Sequence, residues 1–213
     1  MPDALAREAV RAAIRSVLVD FTERPFFDVR EGDVQARLLH EIRCRLTPPD
    51  VALLLRPHGD RRHAHPNSLR TSRVHQEAKL GEDQVDLVVL ASTGPVELVV
   101  HDNGPLDVIA PVRQQDLAAV IEVKAAPSKN MWKEFRKDLH KLNEMVRSSP
   151  DCDAFFVVFD KSLSLGGTRS PVWPRFDWLD ALVEDPTGHV EAHYVDASGH
   201  VRNRIGWVQG SAL

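Results

Sequence analysis

Glu122 and Lys124 stand two residues apart in Ala118-Ala119-Val120-Ile121-Glu122-Val123-Lys124, at the end of an apolar, β-favouring run. Along a strand, residues i and i+2 project from the same face, so this acid and this lysine should stand side by side. One strand-like segment earlier, Gln84-Val85-Asp86-Leu87-Val88-Val89-Leu90 carries a lone acid at the head of another apolar run. Hydrolysis of a phosphodiester needs an activated water, an in-line approach and neutralisation of the charge developing on the phosphate. A hard divalent cation supplies much of this, and Mg²⁺ is held by one or two carboxylates completed by waters and phosphate oxygens. Asp86 and Glu122, on neighbouring strands, suit such an ion, and the backbone carbonyl of Val123 is a further candidate ligand. Lys124 would orient the attacking water or stabilise the pentacovalent phosphorus. Nearby carboxylates favour its charged form, which makes it an electrostatic stabiliser rather than a general base. A Glu-x-Lys pair alone is common on solvated strands. Here both acids interrupt apolar runs, and a basic helix follows directly.

The elements that must position these groups are legible in the spacing. Residues 4 to 21 place Val10, Ile14, Val17, Leu18 and Phe21 at helical intervals, ended by Arg24-Pro25. A second helix within Asp28 to Leu46 carries Val34, Leu38, Leu39, Ile42 and Leu46 on one stripe and stops at Thr47-Pro48-Pro49. Val51 to Leu55 reads as a short strand, and Arg56 to Ser72, rich in Arg, His, Pro and Asn, as a long basic loop. Arg73 to Leu80 forms a hairpin with the Asp86 strand through Gly81-Glu82-Asp83, and Val96–His101 with Leu106–Ala110 forms a second around Asp102-Asn103-Gly104. After the Glu122 strand and Pro127 comes a helix with Trp132, Phe135, Leu139, Leu142 and Val146 inward and most basic residues outward. Asp153 to Phe159 suits a strand buried on both faces. The strand–helix–strand length from Val120 to Phe159 favours a parallel pair. Phe176 to Val183 suggests a short helix, and Val190–Val195 with Val201–Val208 a closing hairpin. The fold class is α/β, a mixed sheet between helices.

The 213 residues suffice for one domain with a full core. No apolar run approaches the ~20 residues of a membrane span, and the N-terminus lacks the basic-then-apolar layout of a signal peptide, so the chain reads as cytoplasmic, with no membrane partner. Cys44 and Cys152 are isolated, which implies neither a disulfide scaffold nor a zinc cluster. Net charge is −4, yet Arg56–Arg73 carries +4 and Lys129–Arg147 carries +3, leaving −11 elsewhere. Such asymmetry suits a local phosphate-binding surface, although solvated charge runs are common. Arg61, Arg62, Arg70, Lys129, Lys133, Arg136 and Lys137 are the candidate nucleic-acid contacts. His58, His63 and His65 lack cysteine partners for zinc and fit phosphate contact or loop solvation. His140 reads as a surface histidine, and Asp138 as a cap or salt-bridge residue.

Taken in order, Glu31-x-Asp33-Val34-Gln35, Val74-His75-Gln76-Glu77, Val85-Asp86-Leu87-Val88-Val89, Val120-Ile121-Glu122-Val123-Lys124 and Phe135-x-x-Asp138-Leu139-x-x-Leu142 resemble the PD-(D/E)XK nuclease superfamily. The resemblance covers roughly residues 30 to 160, leaving a C-terminal extension over 161–213. It implies a restriction-endonuclease-like fold with an α-β-β-β-α-β core, here with an added N-terminal helix and a C-terminal β-hairpin. It makes Asp86 and Glu122 metal ligands, Lys124 the catalytic lysine and Glu31 the first-helix acid, with Glu41 as the alternative. Glu77 joins as an extra ligand or stays an ordinary exposed acid. Residue 85 is Val where the motif has Pro, and the Asn103-Gly104 hairpin is an insertion between the two acidic strands. The implied activity is Mg²⁺-dependent cleavage of DNA, with Mn²⁺ able to substitute, and a homodimer is one arrangement that enzymes of this fold adopt on duplexes. The rival expectation is a catalytically silent module of the same fold that binds nucleic acid or a protein partner.

Overall fold

The computed structural model describes residues 3–24, 30–57, 70–80, 83–92, 96–100, 116–125, 132–149, 151–160, 190–197 and 201–205. Helix α1 (Ala4–Glu23) buries Ala6, Ala9, Val10, Ala13, Ile14, Val17, Leu18 and Phe21. Those positions recur at three and four residues, so they form one stripe that must pack against something apolar. Helix α2 (Glu31–Arg45) buries Val34, Gln35, Leu38 and Ile42 in the same way. Its start is held by Asp33, whose carboxylate accepts the Arg30 N–H at 2.8 Å, and acids there also complement the helix dipole.

Strands β3 (Val74–Leu80), β4 (Asp83–Leu90), β6 (Leu117–Ala125), β7 (Asp153–Asp160), β8 (Val190–Asp196) and β9 (Val201–Ile205) make a six-stranded sheet in the order β3-β4-β6-β7-β8-β9. Its pairs β3–β4, β4–β6 and β8–β9 are antiparallel, while β6–β7 and β7–β8 are parallel. Helices α1 and α2 share a core with Leu87, Val89, Ile121, Val123, Phe155 and Val157 on one face. Helix α3 (Trp132–Ser148) covers the other, packing Phe135, Leu139, Leu142 and Met145 with Val88, Val120, Phe156 and Val158. With both faces covered, all eight residues of β7 are buried, as its unbroken apolar run required. This is a mixed α/β architecture with a central mixed sheet between helices. Among the described residues no helix is long and apolar enough to cross a membrane.

A smaller sheet has the order β2-β1-β5, built from β1 (Asp50–Pro57), β2 (Arg70–Ser72) and β5 (Val96–Val100). It corrects one expectation and adds a pairing that local signals do not announce. Residues 70–72, read as loop, pair antiparallel with β1, because an extended partner satisfies backbone groups that residue composition leaves open. Strand β5, read as the first arm of a hairpin, lies parallel to β1, with Leu53 opposite Val96. The second arm of that hairpin and the helix expected at 176–183 lie outside the described residues.

Arg73 ties these parts together. Only 1 % exposed, it donates to Leu90 O at 2.9 Å and pairs with Asp3 at 2.8 Å. Asp3 in turn accepts the Ser92 N–H at 2.5 Å. One guanidinium thus joins the start of α1 to the end of β4. Arg73→Met should leave the Asp3 carboxylate buried without its cation, and breaking a buried pair from one side costs ~3–5 kcal/mol. Arg70, exposed and 3.9 Å from Asp50, should cost less than ~1 kcal/mol when changed to Ala. Urea unfolding of both variants measures the contrast.

Candidate metal and phosphodiester site

The β4–β6 ladder runs from Leu90↔Leu117 to Leu87↔Ile121. Beyond that point β4 continues to pair with β3, where Val85 meets Ala78, and β6 continues with β7, where Glu122 meets Phe156. The two strands therefore part at Asp86 and Glu122, which face one another one step past the last pair. The Val123 N–H on this edge donates instead to Asp86 Oδ2, at 2.7 Å. The Ala125 N–H donates to Glu31 Oε2 at 3.2 Å. Two carboxylates thus replace the missing strand as backbone acceptors, as the demand to satisfy buried amides requires. In a strand the N–H and C=O of one residue point to the same neighbour, so the Val123 carbonyl also turns toward β4. Its side chain lies in the core on the opposite face.

Asp86, Glu122 and Lys124 share the face of Val88 and Val120, beneath α3. Glu122 is 2 % exposed. Lys124 Nζ lies 3.8 Å from Glu122 Oε2 and 3.1 Å from Asp138 Oδ2 of α3. A second lysine of α3, Lys141, contacts Glu122 Oε1 as an ion pair, stands 3.6 Å from Asp138 Oδ1 and donates to Gln84 O at 2.7 Å. Glu31 enters from the other layer, at the N-terminus of α2, where that helix meets the open end of β6. The structure thus brings Glu31, Asp86, Glu122 and Lys124 to one place and adds Asp138 and Lys141.

Among the described side chains, four carboxylates surround two ammonium groups in a largely buried cleft, so acids outnumber cations there. Burial first, and the neighbouring charges second, set the proton equilibria. Burial, then the Asp86 charge, pushes Glu122 up to about 8 against the pull of Lys141. Burial likewise raises Glu31, opposed by Lys124 and the Ala125 N–H. Burial works against the Lys124 ammonium, but Asp138, Glu31, Asp86 and Glu122 outweigh it and lift its pKa above the ordinary lysine value. Lys124 is thus a fixed positive charge at neutral pH.

Among the described residues, no three His, Cys, Asp or Glu side chains form a ready-made metal-binding group. The donors that are present nonetheless fit a hard cation that takes only one or two carboxylates. They are all oxygens, acids outnumber cations among the described side chains, and Glu122 Oε1 is buried with the Lys141 ammonium against it.

Other candidates lie elsewhere. Glu77 is on β3, exposed, in a left-handed backbone conformation with φ 55°. The β3–β4 register passes from Gln76↔Leu87 to Ala78↔Val85 over it. Its carboxylate takes a hydrogen bond from Gln84, and it is not among the main charges acting on Glu31, Glu122 or Lys124. Glu41 pairs with Arg45 on the same helix. Lys137 is exposed on α3, and Arg70 is exposed on β2. Lys133 and Arg136 belong to α3 with side chains outside the described set, as are Arg61, Arg62 and Lys129 entirely. Sequence reasoning missed Lys141. The signal was available, since Asp138 and Lys141 are three apart on a helix and share a face.

A raised carboxylate pKa sets a direction for stability. Between the unfolded value near 4.5 and about 8, the folded chain binds more protons at Glu122 than the unfolded chain does. Its contribution is fully present below pH 4.5 and declines as pH rises through about 8. In EDTA, the part of the pH–stability curve that Glu122→Gln removes should fall across this window. A contribution that grows with pH there contradicts the assignment.

Comparison of the chain with protein-family models, curated proteins and solved structures finds no match.

Proposed function

We propose that this chain is a Mg²⁺-dependent nuclease acting on DNA, with Mn²⁺ able to replace Mg²⁺. The observation that carries the reading is the parting of β4 and β6 at Asp86 and Glu122, with a lysine beside them and more acids than cations among the described groups around them. The order α2, β3, β4, β6, α3, β7 supports the restriction-endonuclease-like arrangement, with β1, β2 and β5 as additions to it. Asp86, Glu122 and the Val123 carbonyl would hold the ion. When bound, the ion supplies charge neutralisation at the phosphate and a water of lowered pKa.

The residues divide the remaining tasks. Lys124 keeps a positive charge beside Glu122 and faces the charge that develops on the phosphate. Glu31 fixes the open end of β6 through Ala125 and adds to the field that attracts the cation. Burial under α3 keeps the dielectric low, which strengthens each of these interactions. DNA is the preferred substrate because α3, which roofs the site, carries five basic against three acidic residues, a net +2, with Lys137 exposed for phosphate contact.

Incubation with supercoiled plasmid, linear duplex and single-stranded DNA in Mg²⁺, Mn²⁺ or EDTA is the direct test. Lys124→Ala should lower the cleavage rate ~10²–10³-fold, the loss typical for one aligned charge or donor, while folding is retained. Glu122→Ala should lose both turnover and metal binding. Binding to a labelled duplex should weaken with salt, by ~0.9 in the log–log slope per phosphate contact. Wild type that cuts none of these substrates in either metal would make the non-catalytic binding module the better reading. Lys124→Ala that cuts as fast as wild type would remove the nuclease assignment at its central residue.

A further inference from the structure

Lys141 is the group that the nuclease reading leaves without a task, and its surroundings give it one. Its ammonium is held from three sides by three different elements. Asp138 lies one helical turn before it on α3, at 3.6 Å, and Gln84 O belongs to β4, accepting at 2.7 Å. The third partner is Glu122 Oε1 on β6. The ammonium therefore bridges the two strands near the point where their ladder ends, against an oxygen of the carboxylate named above as a metal ligand. Its hydrogen bond to Gln84 and its contact with Asp138 are made on elements other than the one that carries Glu122. It can release Glu122 and keep its other two partners.

We infer that Lys141 is a built-in counter-ion that occupies the cation position of this site and leaves Glu122 when a divalent ion binds. The inference rests on the metal-site reading above. Two cations cannot share one carboxylate oxygen in a cleft of low dielectric without strong repulsion, so the binding affinity measures a competition between ion and ammonium. Asp138 and the Gln84 carbonyl are the resting place of the displaced ammonium. A flexible lysine suits such a part, since its charge is compact and its four-carbon stem reorients without loss of helical packing.

The test uses the full chain stripped with EDTA and titrated with Mn²⁺ by calorimetry. Lys141→Met removes the competitor at similar length and should tighten Mn²⁺ binding at least ~10-fold, ~1.4 kcal/mol. Arg147→Met removes the same charge from the exposed end of α3 and should leave the affinity where it was. Lys141→Met should also melt lower in EDTA and gain more from Mn²⁺ than wild type does. A measurement on wild type needs no variant to fold: acetylation mapped by mass spectrometry should modify Lys141 faster in Mg²⁺ than in EDTA. Wild type that binds Mn²⁺ while Lys141→Met binds it equally or more weakly overturns the counter-ion role and spares the metal site. Equal acetylation of Lys141 with and without Mg²⁺, in protein shown to bind the ion, overturns it too. Absence of Mn²⁺ binding in both proteins overturns the metal site and the counter-ion together.

Discussion

Two strands that stop pairing inside a sheet leave backbone groups that something else must satisfy, and the site follows from that demand. At the end of the β4–β6 ladder the Val123 and Ala125 amides turn to Asp86 and Glu31. Carboxylates are good acceptors for buried amides, but they bring charge into a place of low dielectric. Each amide satisfied in this way adds a negative charge that then needs a cation. The lysines of β6 and α3 answer part of that need, while burial and then the Asp86 charge hold Glu122 up at about 8. Polar satisfaction, charge balance and metal preference are therefore one problem here rather than three.

Strand arithmetic made much of this visible. Glu122 and Lys124 share a face because the side-chain period of a strand is two, and Val123 turns to the other core for the same reason. The hairpin carrying Asp86, the parallel β6–β7 crossover and the closing β8–β9 hairpin were equally readable, since each is fixed by local turns or by connection length. Lys141 escaped because an amphipathic helix was read by its apolar stripe, and a lysine at the stripe's border is counted as solvent-facing. Its apolar stem allows the border position to reach inward. The pairing of β5 with β1 escaped for a different reason. Both strands are apolar runs without a distinctive register, and a parallel partner distant in sequence is chosen by tertiary packing rather than by local signals. Glu77 gave no warning of its left-handed backbone, because glycine is the residue that usually announces one.

The choice between arginine and lysine separates the chain's structural ion pairs from those of the site. Away from the cleft, Asp3, Asp153 and Glu191 are held by arginine. Arg73 holds Asp3, and Arg11 spans Asp153 at 2.8 Å and Glu191 at 2.6 Å, with Arg7 adding a bond to Asp153 at 3.2 Å. A guanidinium is planar, always charged and directs several donors in fixed directions, so such pairs lock α1 to β7 and β8 and to the end of β4. Among the described residues of the cleft, the cations are Lys124 and Lys141. An ammonium is a point charge on a rotatable stem, able to change partners without moving the backbone that carries it. The rigid pairs hold the sheet and its helices in register while the site keeps charges that can shift. A cleft lined by arginine forks would satisfy Glu122 more completely and leave no place for an incoming divalent ion. The lysine-lined cleft leaves its carboxylate only partly satisfied, and that incompleteness is what a metal site requires of the protein around it.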